Sequence, residues 1–146
     1  MSMIMLENCQ YYITVLRNRI ASRLSMLAKL PIGFVSQPEP RSIGDPIRGR
    51  QLAAGTLLFA GQSITAPDTS LWDIPVPDSD FTTAIQGCKW LDDMAAAGDG
   101  KARKTAQIWV WRWIKKYGHG SGPGWTPELA GQRLSRWLHH ALFLLR

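Results

Sequence analysis

The stretch GSGPGWTPELAGQRLSRWLHHALFLLR, residues 120–146, carries the most strongly patterned helix in the chain. Gly120, Gly122, Pro123 and Gly124 make a loop that cannot hold regular structure. Thr126 suits an N-cap, Pro127 the first helical position, and Glu128 the positive end of the helix. Leu134, Trp137, Leu138, Ala141, Leu142 and Leu145 then recur at spacings of three and four, which makes one wide apolar face. No Gly, Asn or Pro follows to stop it, so the helix is expected to run unbroken, as the first part of a larger helical assembly. Arg133, Arg136 and His140 fall on a neighbouring stripe. A basic stripe beside an aromatic suits an acidic ligand; the plainer alternative is a pair of solvated arginines with Trp137 in the core.

Upstream, a helix is expected over 101–117 with Gly118 at its end. Ala106, Trp109, Val110, Trp113 and Ile114 form its buried face, Lys104, Lys115 and Lys116 point elsewhere, and Trp111 lies on another side, as in a helix set between neighbours. Another helix is expected over 81–97, with Asp78, Ser79 or Asp80 as cap, Gly98 as stop, and Ala84, Cys88, Leu91 and Ala95 as its stripe. Residues 31–80 read as a proline- and glycine-rich extended arm, with short strands at Thr56–Phe59 and Gln62–Thr65. Trp72, in LWDIPVP, reads as an anchor pinning that arm to the helices. Residues 1–30 read as a basic amphipathic leader helix, with Ile13, Leu16, Ile20, Leu24 and Leu27 in one stripe and arginines off it. Such a helix suits docking on the domain, contact with an anionic membrane surface, or an organelle-targeting role.

With 146 residues the chain has enough length for one sizeable core. Cys9 and Cys88 stand far apart without metal-ligand spacing and read as ordinary thiols. The longest clean apolar run, 141–145, is far below the ~20 residues of a membrane span, and Arg17, Arg19 and Arg23 interrupt any secretory-signal core. A soluble chain is expected, cytoplasmic or periplasmic. The net charge of +6 is unevenly placed: residues 66–99 hold seven acids against Lys89, whereas residues 100–146 hold nine bases against Glu128. The basic half suits a polyanion, although no nucleic-acid reader motif accompanies it. His139 and His140 point about 100° apart on a helix and cannot converge on one metal. His119 reads as solvent-facing. Asp92 and Asp93 diverge in the same way and read as a solvated acidic edge rather than a glycosidase pair.

Four segments taken together are more specific. RSIGDPIRGRQLAAGTLLFAGQSI from Arg41, then LWDIPVP, GCKWLDDMAAAGD and YGHGSGPGWTPELAGQRLSRWLHHALFLLR resemble, in order, the amino-terminal part of bacterial heparinase II/III-like proteins. The most specific pieces are Gly-Pro-Gly-Trp-x-Pro at residues 122–127 and the Arg-Leu-x-x-Trp-x-x-His spacing of Arg133, Leu134, Trp137 and His140. The resemblance implies a mainly α chain that forms the start of an α/α toroid, truncated before its later helices and β-sandwich. It also implies polysaccharide lyase chemistry, β-elimination at a uronic acid. That reaction needs a group neutralising the uronate, a base and an acid. In the family these come from later parts of the protein, so no catalytic residue is carried over and the chain alone is expected to be inactive. No metal or other cofactor is expected. The implied partner is an acidic polysaccharide or oligosaccharide, contacted by Arg133, Arg136, Trp137 and His140, with Trp125 at the turn. The alternative is a non-catalytic helical module for acidic polysaccharide or another polyanion. The apolar face of Leu134, Leu138, Leu142 and Leu145 is expected to drive self-association if nothing covers it.

Overall fold

Asp45 and Pro46 start a helix inside the segment read as an extended arm. In the computed structural model, which describes residues 2–29, 32–36 and 39–145, the Asp45 carboxylate accepts the backbone N–H groups of Ile47 and Arg48 at 2.8 and 3.3 Å. Pro46 then occupies the first turn, where its missing N–H costs nothing. Among the described residues the chain is mainly helical. After α1 (Ser2–Ser25) come α2 (Pro46–Ala53), strands β1 (Thr56–Phe59) and β2 (Gln62–Thr65), then α3 (Ser79–Gln86), α4 (Trp90–Ala97), α5 (Gly100–Tyr117), α6 (Pro127–His139) and α7 (Ala141–Leu145). None of these helices is long and apolar enough to cross a membrane.

The two strands pair antiparallel where the sequence places them, with Phe59 opposite Gln62. The connection is Ala60–Gly61, both at positive φ (49° and 77°), as a tight two-residue hairpin requires. Leu57 and Phe59 point inward, and Phe59 meets Phe81 edge-on at 5.4 Å. Trp72 is the anchor expected of it. It is 5% exposed, its indole N–H donates to the Trp109 carbonyl at 2.7 Å, and its ring packs edge-on against Trp90 and Tyr117.

The helix expected over 81–97 is two helices. Residues 87–89 interrupt it, with Cys88 at φ 58°, a conformation that disfavours continuation of a right-handed helix. Three side chains cover the freed carbonyls: the indole N–H of Trp90 donates to Ile85, Arg133 to Gln86 and Arg136 to Gly87. The Ile85 carbonyl also takes the Cys88 N–H at 3.2 Å, and the penalty for leaving the Gln86 and Gly87 acceptors bare is avoided by two arginines from α6.

Helix α5 matches its sequence pattern, with Ala102, Ala106, Trp109, Val110 and Trp113 buried. Ile114, expected inside, is 38% exposed. Thr126 caps α6 by accepting the N–H of Leu129. The helix expected to run unbroken from Pro127 changes at His140 (φ −105°, ψ 18°) before α7 begins, and the His140 ring turns inward to Asp92.

The core gathers α2, the hairpin, the Trp72 turn, α3, α4 and α5, with Leu71, Phe81, Cys88, Trp90, Leu91 and Met94 at its centre. Gly49 lets α2 lie directly against α4, since a Cβ there would fall 2.1 Å from the Asp93 carbonyl oxygen.

Candidate functional site

The five residues singled out for ligand contact do converge, around the interruption between α3 and α4. Arg133 is 4% exposed. Its Nη1 donates to the carbonyls of Gly124 (2.8 Å) and Gln86 (3.4 Å). Its guanidinium carbon lies 3.9 Å from the centroid of Trp113, 5.4 Å from Trp125 and 6.0 Å from Trp137. An arginine is suited to this place because a planar cation can stack on an indole while its in-plane N–H groups reach carbonyls. Burial pulls its pKa down from the ordinary value, and the Cys88 site opposes that pull.

Trp125 is half-buried and tied down, its indole N–H donating to the Tyr117 carbonyl at 2.7 Å. Trp137 meets Trp113 edge-on at 5.4 Å. Trp113 itself donates to Oε1 of the buried Gln86 at 2.8 Å. Gly124 is needed beside them, because a Cβ there would fall 2.2 Å from that amide oxygen.

One turn further along α6, Arg136 Nε donates to Asp92 Oδ2 at 3.2 Å and its Nη1 donates to the Gly87 carbonyl at 2.6 Å. His140 Nε2 meets Asp92 Oδ1 at 2.7 Å, both residues about 5% exposed. Burial alone would raise the Asp92 pKa; hydrogen bonds from His140, Ser42 and Arg136, with the Arg136 charge, outweigh it and hold the carboxyl below its ordinary range. Asp93 faces the other way. It accepts the Asp45 N–H at 2.9 Å and pairs with Arg48 Nε at 3.3 Å. The solvated acidic edge read at this pair is thus corrected: the two carboxylates do diverge, but each is buried against a different helix, Asp92 on α6 and Asp93 on α2. His119 is exposed, as read.

Cys88, at the centre of the interruption, is fully buried, and burial pushes its thiol up to about 12, against weaker opposite pulls from Arg133, the Trp137 indole and Arg136. A thiol in that state is not a nucleophile near neutral pH.

The convergence therefore divides. Arg133 and His140 point inward with internal partners, whereas Arg136 lies at the boundary, its side chain 22% exposed. Beyond it Arg41, Ser42, Gln132, Ser135 and His139 complete an open cleft of about 440 Å³ on the outer side of α6. Arg41 is exposed and forms no ion pair among the described residues. Sequence does not single out Arg41 or His139 as cleft residues: Arg41 lies 95 positions from Arg136, and His139 stands out only as one of two adjacent histidines, open to a general-base or metal-pair reading. Compared with known proteins, the chain matches no family model, no curated protein and no solved structure.

Proposed function

We propose that this chain is the amino-terminal helical portion of a heparinase II/III-like polysaccharide lyase, the opening of an α/α toroid, and that its part in the work is to hold an acidic polysaccharide. The observation carrying this reading is the cleft beside α6, where Arg136, Arg41 and His139 stand with Ser42, Ser135 and Gln132. Two guanidinium groups suit uronate or sulfate oxygens, which accept paired N–H donors, and the hydroxyl and amide groups suit sugar hydroxyls. Arg133, Trp125, Trp137 and His140 serve this cleft by fixing α6, which carries Arg136, on the α3–α4 interruption. The ordered motifs from Arg41 onward support the family assignment. An apolar groove between α5 and α7, formed by Trp111, Ile114, Leu144 and Leu145 among others, supports further helices as neighbours. β-Elimination is assigned to no residue of this chain.

Calorimetric titration with heparin, alginate and hyaluronate oligosaccharides tests the reading. Arg41→Glu, which alters an exposed residue, is expected to weaken binding at least tenfold, with salt weakening it further. Undiminished affinity in that variant sinks the cleft assignment. A non-catalytic polyanion-binding module rests on the same cleft; it becomes the better reading if the chain binds oligosaccharide and yields no unsaturated uronate even when completed by the later parts of a heparinase II/III-like lyase.

A further inference from the structure

Helix α1 has two faces, and the apolar one points away from the body. Val15, Asn18 and Ser22, spaced by three and four, form its half-buried side. Ser22 Oγ donates to the Gly118 carbonyl at 2.9 Å, and the backbone of Asn18 comes so near that a Cβ on Gly120 would fall 2.7 Å from it. At about 100° per residue, Ile13, Leu16, Ile20 and Leu24 lie on the opposite side. They are 51%, 59%, 50% and 61% exposed. The same rotation puts Arg17 on one flank of that stripe and Arg23 on the other, with Arg19 beside Arg23.

A stripe of this kind needs an occupant, and charge selects which. Between Glu7 and Glu39 the sequence carries four bases and no acid, and Arg17, Arg19 and Arg23 form no ion pair among the described residues. We infer that α1 lays its Ile13–Leu16–Ile20–Leu24 face on an anionic lipid bilayer and holds the body at that surface as a peripheral protein. The apolar side chains enter the headgroup and acyl boundary, while the arginine stems reach up to place their charges among lipid phosphates. Docking through Val15, Asn18 and Ser22 leaves this face unobstructed, so no rearrangement of the body is required. A groove on a protein partner accepts similar apolar spacing, but a cationic flank on both sides, with no acid between, matches a uniformly anionic surface.

The test is cosedimentation of the full chain with sucrose-loaded vesicles of phosphatidylcholine alone and of phosphatidylcholine mixed with phosphatidylglycerol. Binding to the mixed vesicles is expected, falling with salt. Leu16→Ser with Ile20→Ser should reduce it at least tenfold. Arg17, Arg19 and Arg23 all changed to Gln should reduce it about a hundredfold, since each charge near an anionic surface contributes about one kcal/mol. Unchanged thermal melts in both variants show that the body remains folded. Absence of binding to the mixed vesicles overturns the inference. Binding equal across wild type and both variants does the same, as does lipid-free self-association at sedimentation equilibrium that Leu16→Ser with Ile20→Ser abolishes.

Discussion

At the α4 joint, Asp92 and Asp93 are 4% and 5% exposed, whereas on α1 Leu16 and Leu24 are 59% and 61% exposed. Charge is inside and oil outside, the reverse of what hydropathy assigns. The difference is one of partners. Asp92 meets His140, Arg136 and Ser42, and Asp93 meets Arg48 and the Asp45 N–H, so both carboxylates are compensated for leaving water. Leu16 and Leu24 are exposed because the helix approaches the body through its Asn18–Ser22 side. Burial in this protein follows available complementarity rather than the character of a single side chain.

The sharpest way to break the contrast is to remove the centre of the joint. Asp92→Ala leaves Arg136 Nε and the His140 ring without their acceptor and is expected to cost about 3–5 kcal/mol of stability in urea denaturation. Arg133→Ala comes next, at about 2–4 kcal/mol, since it strips the cation from Trp113 and leaves the Gln86 and Gly124 carbonyls unpaired. Arg133→Lys should recover only part of that loss, because an ammonium cannot stack and bridge in the same plane.

Acid titration sharpens the comparison further. The Asp92 carboxyl is depressed in the folded state, so its stabilising share is complete above the unfolded-chain value of about 3.9 and is lost as pH falls toward the lower folded value. Asp92→Asn should remove that part of the acid-side slope in denaturation midpoints measured across the range. On α1 the expected effects are smallest. Leu16→Ser with Ile20→Ser should move stability by no more than about 0.5 kcal/mol per site, and Ser22→Ala by about 0.5–1 kcal/mol through loss of the bond to Gly118.

Local signals made much of the fold legible. Thr126 and Pro127 set α6, the hairpin strands were bounded by glycines, and the apolar period of α5 located Trp109 and Trp113 inside. Helix α2 was also written in the chain, by Asp45–Pro46, but Gly44 and Gly49 read as breaks, although Gly49 is there so that α2 can touch α4. The interruption at Cys88 has one local signal, Gly87 at the end of α3, which the apolar stripe across it outweighs; the break persists because Arg133 and Arg136, more than 40 positions away, take the freed carbonyls. The same distance hid the Asp92 and Asp93 partners. Of the cleft, Arg136 is legible in the sequence, whereas Arg41 and His139 are not; helical spacing places Arg133, Arg136 and His140 on one stripe, but which of them faces inward depends on where α3 and α4 lie.

The tryptophan arrangement makes the molecule its own optical reporter. Trp90 and Trp109 sit 5.1 Å apart at 79°, Trp72 lies 6.4 Å from Trp90, and Trp113 touches both Trp125 and Trp137. Indoles held this close at fixed angles share excitation and give circular dichroism bands that isolated chromophores lack. Trp111, 67% exposed, stands apart as a red-shifted emitter. Loss of the coupled bands reports melting of the core, while a shift in the red edge of the emission reports an event on the outer face of α5, so one unlabelled sample follows both.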